Sequence, residues 1–525
     1  MVVRNIQNIT SSGKIVRNIQ SRANLFGKKT HRPAFWNLFQ LHDEQSQSQK
    51  SYSSLRCFYT TGTQYQALAK LSPQEVTTIL RANEYTHDFT EVNSVKSYDS
   101  NQLASNNPIE DTRAEAACLM TEEKWFEIGN FFGGLLMGVF DGHGGGSCAQ
   151  VLAKRLFHYI TASLLPPPLL QQYLQDLQDG KHTDLINSFN DKVQLVEDIA
   201  GVYKDSFLRF IHDLNNTPGQ PNFEMKTVLE NAFLRLDNDL SDEALRIDEK
   251  MTNIDDKTKL KTLSVAMSGA VACVAHIDGP HLHVANVGDC SAVLGVLSDT
   301  NVWIPKKLTI EHNYENTSEV KRIVNEHPPS EENTVIRMER LLGQLAPLRA
   351  MGDFRYKWSK EIMETVVAKH YGERAIPLHY LTPPYLSSKP DVSYHRLTPK
   401  DKFLVIASDG LWDLISPLQV VRLVGEHMSG KVTLSPLKLP RKDMTFNEIN
   451  EMLLQRKEGL KMKPIDENAA THLIRNALGG TEYGLDHGKL SQLLTLPPDV
   501  VRVFRDDITI TVIYFDSEYL RHCPM

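Results

Sequence analysis

The sequence predicts an α+β domain over roughly residues 100–520, with antiparallel sheets inside and helices packed outside. Three observations predict it. Leu135–Phe140, Phe403–Ser408 (FLVIAS) and Ile508–Phe515 (ITITVIYF) are short apolar runs with the length of buried strands. Residues 169–260 instead repeat apolar side chains at helical spacing, as in Leu229, Phe233, Leu236, Leu240 and Ala244. The pattern then changes to strand-like segments between 264 and 297, with glycine at the turns.

Composition sets the bounds. The 525 residues are 41% hydrophobic and 23% charged, ordinary globular material with enough apolar side chains for a sizeable core. A net charge of −7 argues against a nucleic-acid partner. The six cysteines (57, 118, 148, 273, 290 and 523) include no C-x-x-C pair, so neither a zinc pattern nor a disulfide framework is indicated and a reducing compartment fits. No apolar run reaches the ~18 residues of a transmembrane helix. Residues 1–42 carry Arg4, Lys14, Arg17, Arg22, Lys28, Lys29 and Arg32, with no acidic residue before Asp43. That is the character of a mitochondrial transit peptide, with cleavage expected near Phe58 in SYSSLRCFYTT; a basic tail is the alternative. The expected organisation is therefore a transit peptide over 1–58, an N-terminal extension over 59–99, and the main domain over 100–520, in the mitochondrial matrix.

Taken in order, the extension holds one short helix. Leu71-Ser72-Pro73-Gln74-Glu75-Val76 supplies a Ser N-cap, Pro at the first helical position, Glu for a capping box, and Leu71 to staple on Val76. Residues 84–107 read as polar and turn-rich. Ala114–Met120 and Leu135–Phe140 read as strands joined by the connector TEEKWFEIGNFFGG, long for a simple hairpin. Leu152–Leu165 is a helix stopped by Pro166, Pro167 and Pro168. A helical insert follows over 169–260, then strands at Ser264–His276, Leu282–Val287 and Ser291–Leu297. A second insert over 429–490 combines a basic, Met- and Leu-containing stretch with the helical AATHLIRNAL. Asp237-Asn238-Asp239, within VLENAFLRLDNDLSDEAL, reads as an exposed helix face and lacks the central glycine of an EF-hand loop.

The candidate chemistry lies where strands end. Leu135–Gly146 (LLMGVFDGHGGG) puts Asp141 and His143 after an apolar run, among glycines that let backbone approach a ligand closely. Alone, this could be a glycine-rich turn. However, Glu110 and Asp111 precede one strand, Asp289 follows HLHVANVG, Asp409 follows FLVIAS, and Asp506 and Asp507 precede ITITVIYF. If those ends meet, their repulsion requires cations, and carboxylate oxygens select Mg²⁺ or Mn²⁺ over zinc. No cysteine has an Arg six residues on, as a cysteine-dependent phosphatase needs, and there is no Walker lysine motif.

The motifs NPIEDTR, GVFDGHGG, MSGAVACVA, VANVGDCSA, LAPLRAMGDFRYKW, VIASDGLWDL and RDDITITV occur in this order across about 105–515. In them the chain resembles the metal-dependent protein Ser/Thr phosphatases, the PPM family. The cues SNNPIEDTR, RAMGDFRYKW and NAATHLIRNAL, with the transit-like N-terminus, point to the branch that acts on pyruvate dehydrogenase. The resemblance implies a β-sandwich of two antiparallel sheets flanked by helices, with a binuclear metal centre at one end. Asp141 would bridge two Mg²⁺ or Mn²⁺ ions, Glu110 and the Gly142 carbonyl would serve one, and Asp409 and Asp506 the other. Asp111 would lie behind these ligands, Asp289 would serve a third, weaker ion, and Asp353 falls on a further acidic position of the family. A metal-bound hydroxide would attack phosphorus in line, and His143 would protonate the leaving oxygen.

The match has departures. Asn106 stands where the family commonly has a phosphate-binding Arg, four residues before the Glu, which leaves Arg113 or Arg349 as candidate anchors. Val271 replaces a usual Thr, and Ser291 a usual Arg. The resemblance further implies phosphoserines of the pyruvate dehydrogenase alpha subunit as substrate, docking to the lipoyl domain of the acetyltransferase core with Ca²⁺, and room for a regulatory subunit. The insert 169–260 and the stretch Lys431–Lys463 are candidate docking surfaces. The alternatives are a phosphatase for another matrix phosphoprotein and a PPM-fold pseudophosphatase acting as a regulatory binding module. The second sits poorly with retained Glu110, Asp141, Asp409 and Asp506.

Overall fold

Alternation along two central strands sets the layers. In Asp401–Ala407, Leu404 and Ile406 face one way and Phe403, Val405 and Ala407 the other, and all five are buried. In Ile508–Phe515, Ile513 and Phe515 share a cluster with Leu404 and Ile406, while Ile508, Ile510 and Val512 join Phe403 and Val405. A strand buried on both faces must be covered twice. On one side lies a second sheet, whose Val139 belongs to the same cluster as Leu404 and Ile406. On the other lie the helices Pro417–Met428 and Ala469–Gly479, through Val420, Val424, Leu473 and Ile474.

The computed structural model describes residues 70–90, 93–119, 134–181, 184–193, 197–216, 224–245, 256–441 and 443–523. The expected transit peptide and nearly all of the connector 121–134 lie outside the described residues. The first sheet has six strands in the order Tyr85–Asp88, Val95–Leu103, Ile508–Phe515, Asp401–Ala407, Ser291–Leu297, Trp303–Lys307. The second runs Asp391–Arg396, His281–Val287, Gly269–Asp278, Leu135–His143, Thr112–Cys118, Ile186–Phe189, and Met351–Gly352 also pairs with Gly269–Asp278. Every strand pair in both sheets is antiparallel. The helices Ser147–Leu164 and Met225–Leu245 bury Leu152, Leu156, Phe157, Leu229, Phe233 and Leu236 in the cluster that includes the second sheet. The result is the expected α+β sandwich of antiparallel sheets flanked by helices. Ser72 caps Pro73–Arg81 in a complete capping box with Glu75, as its sequence predicts. No helix among the described residues is long and apolar enough to cross a membrane.

Four expectations are corrected. Residues 84–107 are not mainly turns, because Tyr85–Asp88 and Val95–Leu103 are paired strands. Their polarity is internal: Asp99 accepts from Thr86 Oγ1 (2.6 Å) and Ala469 N (2.9 Å), and Asn101 Nδ2 donates to the Leu80 carbonyl (2.8 Å). Ser264–Met267 ends the helix Asp256–Met267, and the strand begins only at Gly269, since apolar residues at a helix end match a strand pattern equally well. The insert 169–260 contains the strand Ile186–Phe189, which pairs with Thr112–Cys118. Its side chains Leu229, Phe233, Leu236 and Leu240 are buried in the core. Finally, Asp237 and Asp239 are buried, not on an exposed face.

Candidate metal centre

The strand Leu135–His143 runs three residues beyond its apolar stretch. Asp141, Gly142 and His143 stay in the ladder opposite Val271, Ala270 and Gly269, which puts Asp141 and His143 on one face with Gly142 between them on the other. A Cβ at Gly142 would come within 2.3 Å of the Glu110 carbonyl oxygen, so only glycine fits this approach. The same loop donates Gly145 N to Glu110 Oε1 (3.1 Å). Glycine is equally required at Gly269, where a Cβ would strike Asp353 Oδ2 at 2.2 Å and His143 Nε2 at 2.3 Å.

Asp507 fixes the segment carrying Glu110 and Asp111. Its Oδ1 accepts from the backbone N–H groups of Ser105 and Asn106, and its Oδ2 from Glu110 N (2.9 Å) and Asn106 Nδ2 (2.8 Å). Asp111 accepts from Ser408 Oγ (2.8 Å), the residue that caps the short helix Asp409–Trp412. Asp506 immediately precedes the strand-leading Asp507 and is held by Arg502. Sequence-distant strand ends thus converge.

Their electrostatics are those of acids that share one site. Although Asp141 keeps part of its residue surface exposed, burial raises its carboxyl well above the usual range, and Asp111, Asp409, Asp506 and Asp289 push it the same way. Burial likewise raises Asp409, reinforced by Asp289, Asp506, Asp413 and Asp111. Asp111 is pushed up to about 8 by burial and Asp507. Glu110 is pushed up to about 7 by burial, with Arg502 opposing, and Asp289 to about 6, again mainly by burial. Among the described residues no three His, Cys, Asp or Glu side chains close into a cage for an ion by themselves. The donor chemistry nonetheless fits Mg²⁺ or Mn²⁺: hard oxygens, a backbone carbonyl at Gly142, and negative charge that a cation would relieve.

His143 Nε2 hydrogen-bonds Asp353 Oδ2. Burial lowers the imidazole's proton affinity, but the charge and hydrogen bond of Asp353 outweigh it, and the net shift is upward. Asp353 sits in the left-handed region at φ 52°, with its N–H on the Ser268 carbonyl (2.9 Å). The residue before it, Gly352, donates N–H to Asp237 Oδ1 (2.8 Å), and Lys357 Nζ donates to Asp237 Oδ2 (2.8 Å) and to the Ala350 carbonyl (2.9 Å). The supposedly exposed Asp237 therefore anchors the loop that holds the histidine's partner.

Neither proposed phosphate anchor lies in the cluster. Arg113 is buried against Glu115 Oε1 (2.6 Å) within the second sheet, and Arg349 is paired with Glu319 (2.7 Å) and Asp391 (3.0 Å). The guanidinium that does reach the carboxylates belongs to Arg502, which sequence reasoning missed: Nη1 donates to Glu110 Oε2 (3.1 Å) and Nη2 to Asp506 Oδ1 (3.0 Å). Its placement four residues before Asp506, at helical pair spacing, was the available signal. Asp237 had none beyond its place on the helix.

A two-sheet sandwich that gathers buried carboxylates at its strand ends, beside a His–Asp pair, is the architecture of a metal-dependent hydrolase. The sequence pattern of the family "Protein phosphatase 2C" matches residues 171–446. The human "[Pyruvate dehydrogenase [acetyl-transferring]]-phosphatase 2, mitochondrial" is 41% identical over 463 residues, covering 86% of this chain and 84% of that protein. The bovine "[Pyruvate dehydrogenase [acetyl-transferring]]-phosphatase 1, mitochondrial" is 40% identical, covering 87% of this chain and 86% of that protein. A protein phosphatase 2C homolog of Schizosaccharomyces pombe is 32% identical, with 81% of each chain covered. The chain belongs to the protein phosphatase 2C family and is a metal-dependent protein Ser/Thr phosphatase.

Proposed function

We propose that this phosphatase acts in the mitochondrial matrix on phosphoserines of the pyruvate dehydrogenase alpha subunit and so reactivates that enzyme. The observation that carries the substrate is the 41% identity, over 86% of the chain, to a relative named for it. The basic, acid-free segment 1–42 supports the compartment.

Glu110, the Gly142 carbonyl, Asp141, Asp409 and Asp506 would hold two Mg²⁺ or Mn²⁺ ions, with Asp141 shared between them and Asp289 available to a third. When bound, the ions supply a hydroxide nucleophile and stabilise charge on the phosphoryl oxygens. The protein's own groups do the rest. Asp111, hydrogen-bonded by Ser408, holds the floor of the site in place. Asp353, hydrogen-bonded at Nε2, raises the proton affinity of His143, which would deliver a proton to the departing Ser or Thr oxygen.

Docking on the lipoyl domain, aided by Ca²⁺, and assembly with a regulatory subunit belong to the same proposal. Phe446, 92% exposed at the start of the helix Phe446–Gly459, and the exposed Leu453, Leu454 and Met462 among lysines 457, 461 and 463 support a binding surface in the stretch Lys431–Lys463.

The test is phosphate release by residues 59–525 from phosphorylated pyruvate dehydrogenase complex, with Mg²⁺ and then with EDTA. The proposal expects metal-dependent release that is much faster than from an unrelated phosphoprotein. Equal rates on both would remove the substrate assignment, and release unaffected by EDTA would remove the metal centre.

A further inference from the structure

The family's usual arginine position is occupied by Asn106, whose amide cannot supply a charge. Asn106 Nδ2 lies 3.2 Å from Glu110 Oε2 and 2.8 Å from Asp507 Oδ2. The same Glu110 oxygen receives Arg502 Nη1 at 3.1 Å. One acceptor atom therefore holds both side chains, and the Arg502 guanidinium stands beside the place that a side chain from position 106 would reach. Its other arm spans to Asp506, on the opposite strand end. Arg502 closes the short helix Pro498–Val501, which is pinned by buried Val501, and its side chain is 18% exposed against 8% for Glu110. Asp506 is more open, its side chain 32% exposed, so the planar fork spans from a buried carboxylate to an open one, at the mouth where a phosphoester would enter. Guanidinium forks match phosphoryl oxygens in two-point geometry.

We propose that Arg502 binds the phosphoryl group of the substrate, supplying from the segment before the last strand the cation that position 106 lacks. This rests on the reading of the centre as a two-metal phosphatase site. Glu110 and Asp506 would give their oxygens to divalent ions, which would leave the fork that now bridges them for phosphoryl oxygens. The positive charge would then stand beside position 106 in space although it comes from a residue far along the chain.

The test uses inorganic phosphate as probe, titrated calorimetrically into the full chain at saturating Mn²⁺, with Mn²⁺ affinity measured separately. Arg502→Met is expected to weaken phosphate binding roughly tenfold or more, the loss of a charge-assisted pair, without weakening Mn²⁺ binding. KM for a phosphoprotein rises with it. Asn106→Arg in the R502M background restores most of the phosphate affinity, and Arg502→Lys, which keeps charge but loses the fork, loses less. Unchanged phosphate affinity in R502M at saturating Mn²⁺ overturns the proposal, as does a loss that follows a parallel loss of Mn²⁺. Should R502M not fold, R502K carries the test, and phosphate affinity equal to the parent's overturns it. A parent protein that binds Mn²⁺ and hydrolyses phosphoprotein while R502M binds phosphate normally removes this inference alone; a parent without metal-dependent hydrolysis removes both.

Discussion

Two groups of buried acids in this molecule meet opposite fates. Asp237, Asp239 and Glu243 on the helix Met225–Leu245 are each matched to a cation. Lys357 lies 2.8 Å from Asp237, Arg235 lies 3.0 Å from Asp239, and Arg155 grips Glu243 with both arms at 2.7 and 2.8 Å. Asp111, buried, and Asp141 and Asp409, partly buried at the strand ends, are instead surrounded chiefly by other acids. The first group is finished by folding. The second carries a repulsion that folding leaves standing, and a chain keeps such an arrangement where a bound cation removes it. Scaffold and site are thus distinguished by whether the protein supplies the counter-charge itself.

Breaking each group should therefore move activity and stability differently. The largest effect is expected from Asp409→Ala: phosphate release falls by about 10³-fold or more as metal stabilisation of the transition state is lost. Urea unfolding in EDTA should show the same variant no less stable than the parent, because a buried like charge is gone. Asp237→Ala reverses the pattern. It strands Lys357 in the interior and should cost about 3–5 kcal/mol in urea unfolding, with Mn²⁺ affinity close to the parent's in calorimetry. Asp353→Asn lies between the two. It leaves the strand-end acids alone but removes the charge that raises the proton affinity of His143, so the rate should drop on the order of 10²-fold. Because His143 must be protonated to act, its lowered proton affinity moves the alkaline fall of kcat to lower pH in the pH–rate profile. Ser72→Ala, far from both groups, should cost about 1 kcal/mol through its lost cap and leave kcat unchanged.

The contrast also explains what could be read from the chain alone. Strands such as Ser291–Leu297 and Ile508–Phe515 were legible to the residue because their apolar side chains announce burial. Val95–Leu103 was not, since Asp99, Ser100 and Asn101 are buried by hydrogen bonds to partners as remote as Ala469 and Thr471. The strand-end carboxylates were legible because acids have no business after an apolar run unless something calls for them. Asp237 and Arg502 were not, because their meaning depends on Lys357, Gly352, Glu110 and Asp506, which only the fold brings near. Arg113 and Arg349 failed as anchors for the converse reason: each finds a nearer carboxylate.

Protons and metal ions compete for the strand-end acids, and the sign follows directly. Asp111 at about 8, Glu110 at about 7 and Asp289 at about 6, with Asp141 and Asp409 also raised, hold protons in the folded chain that the unfolded chain has already released. Without divalent ions, stability is therefore greatest at the acid end of this window and falls as pH rises from about 5 to about 8, at about 1.4 kcal/mol per pH unit for each proton of difference.

Urea unfolding of the whole chain at about pH 5.5 and about pH 8, in EDTA and in excess Mn²⁺, shows whether the strand-end acids hold a cation. Stability in EDTA should fall between the two pH values, and Mn²⁺ should stabilise the chain most at the higher pH, where the carboxylates are free to take it. Stability in EDTA that does not fall with pH, or Mn²⁺ that adds nothing at pH 8, would contradict the claim that these acids await a cation.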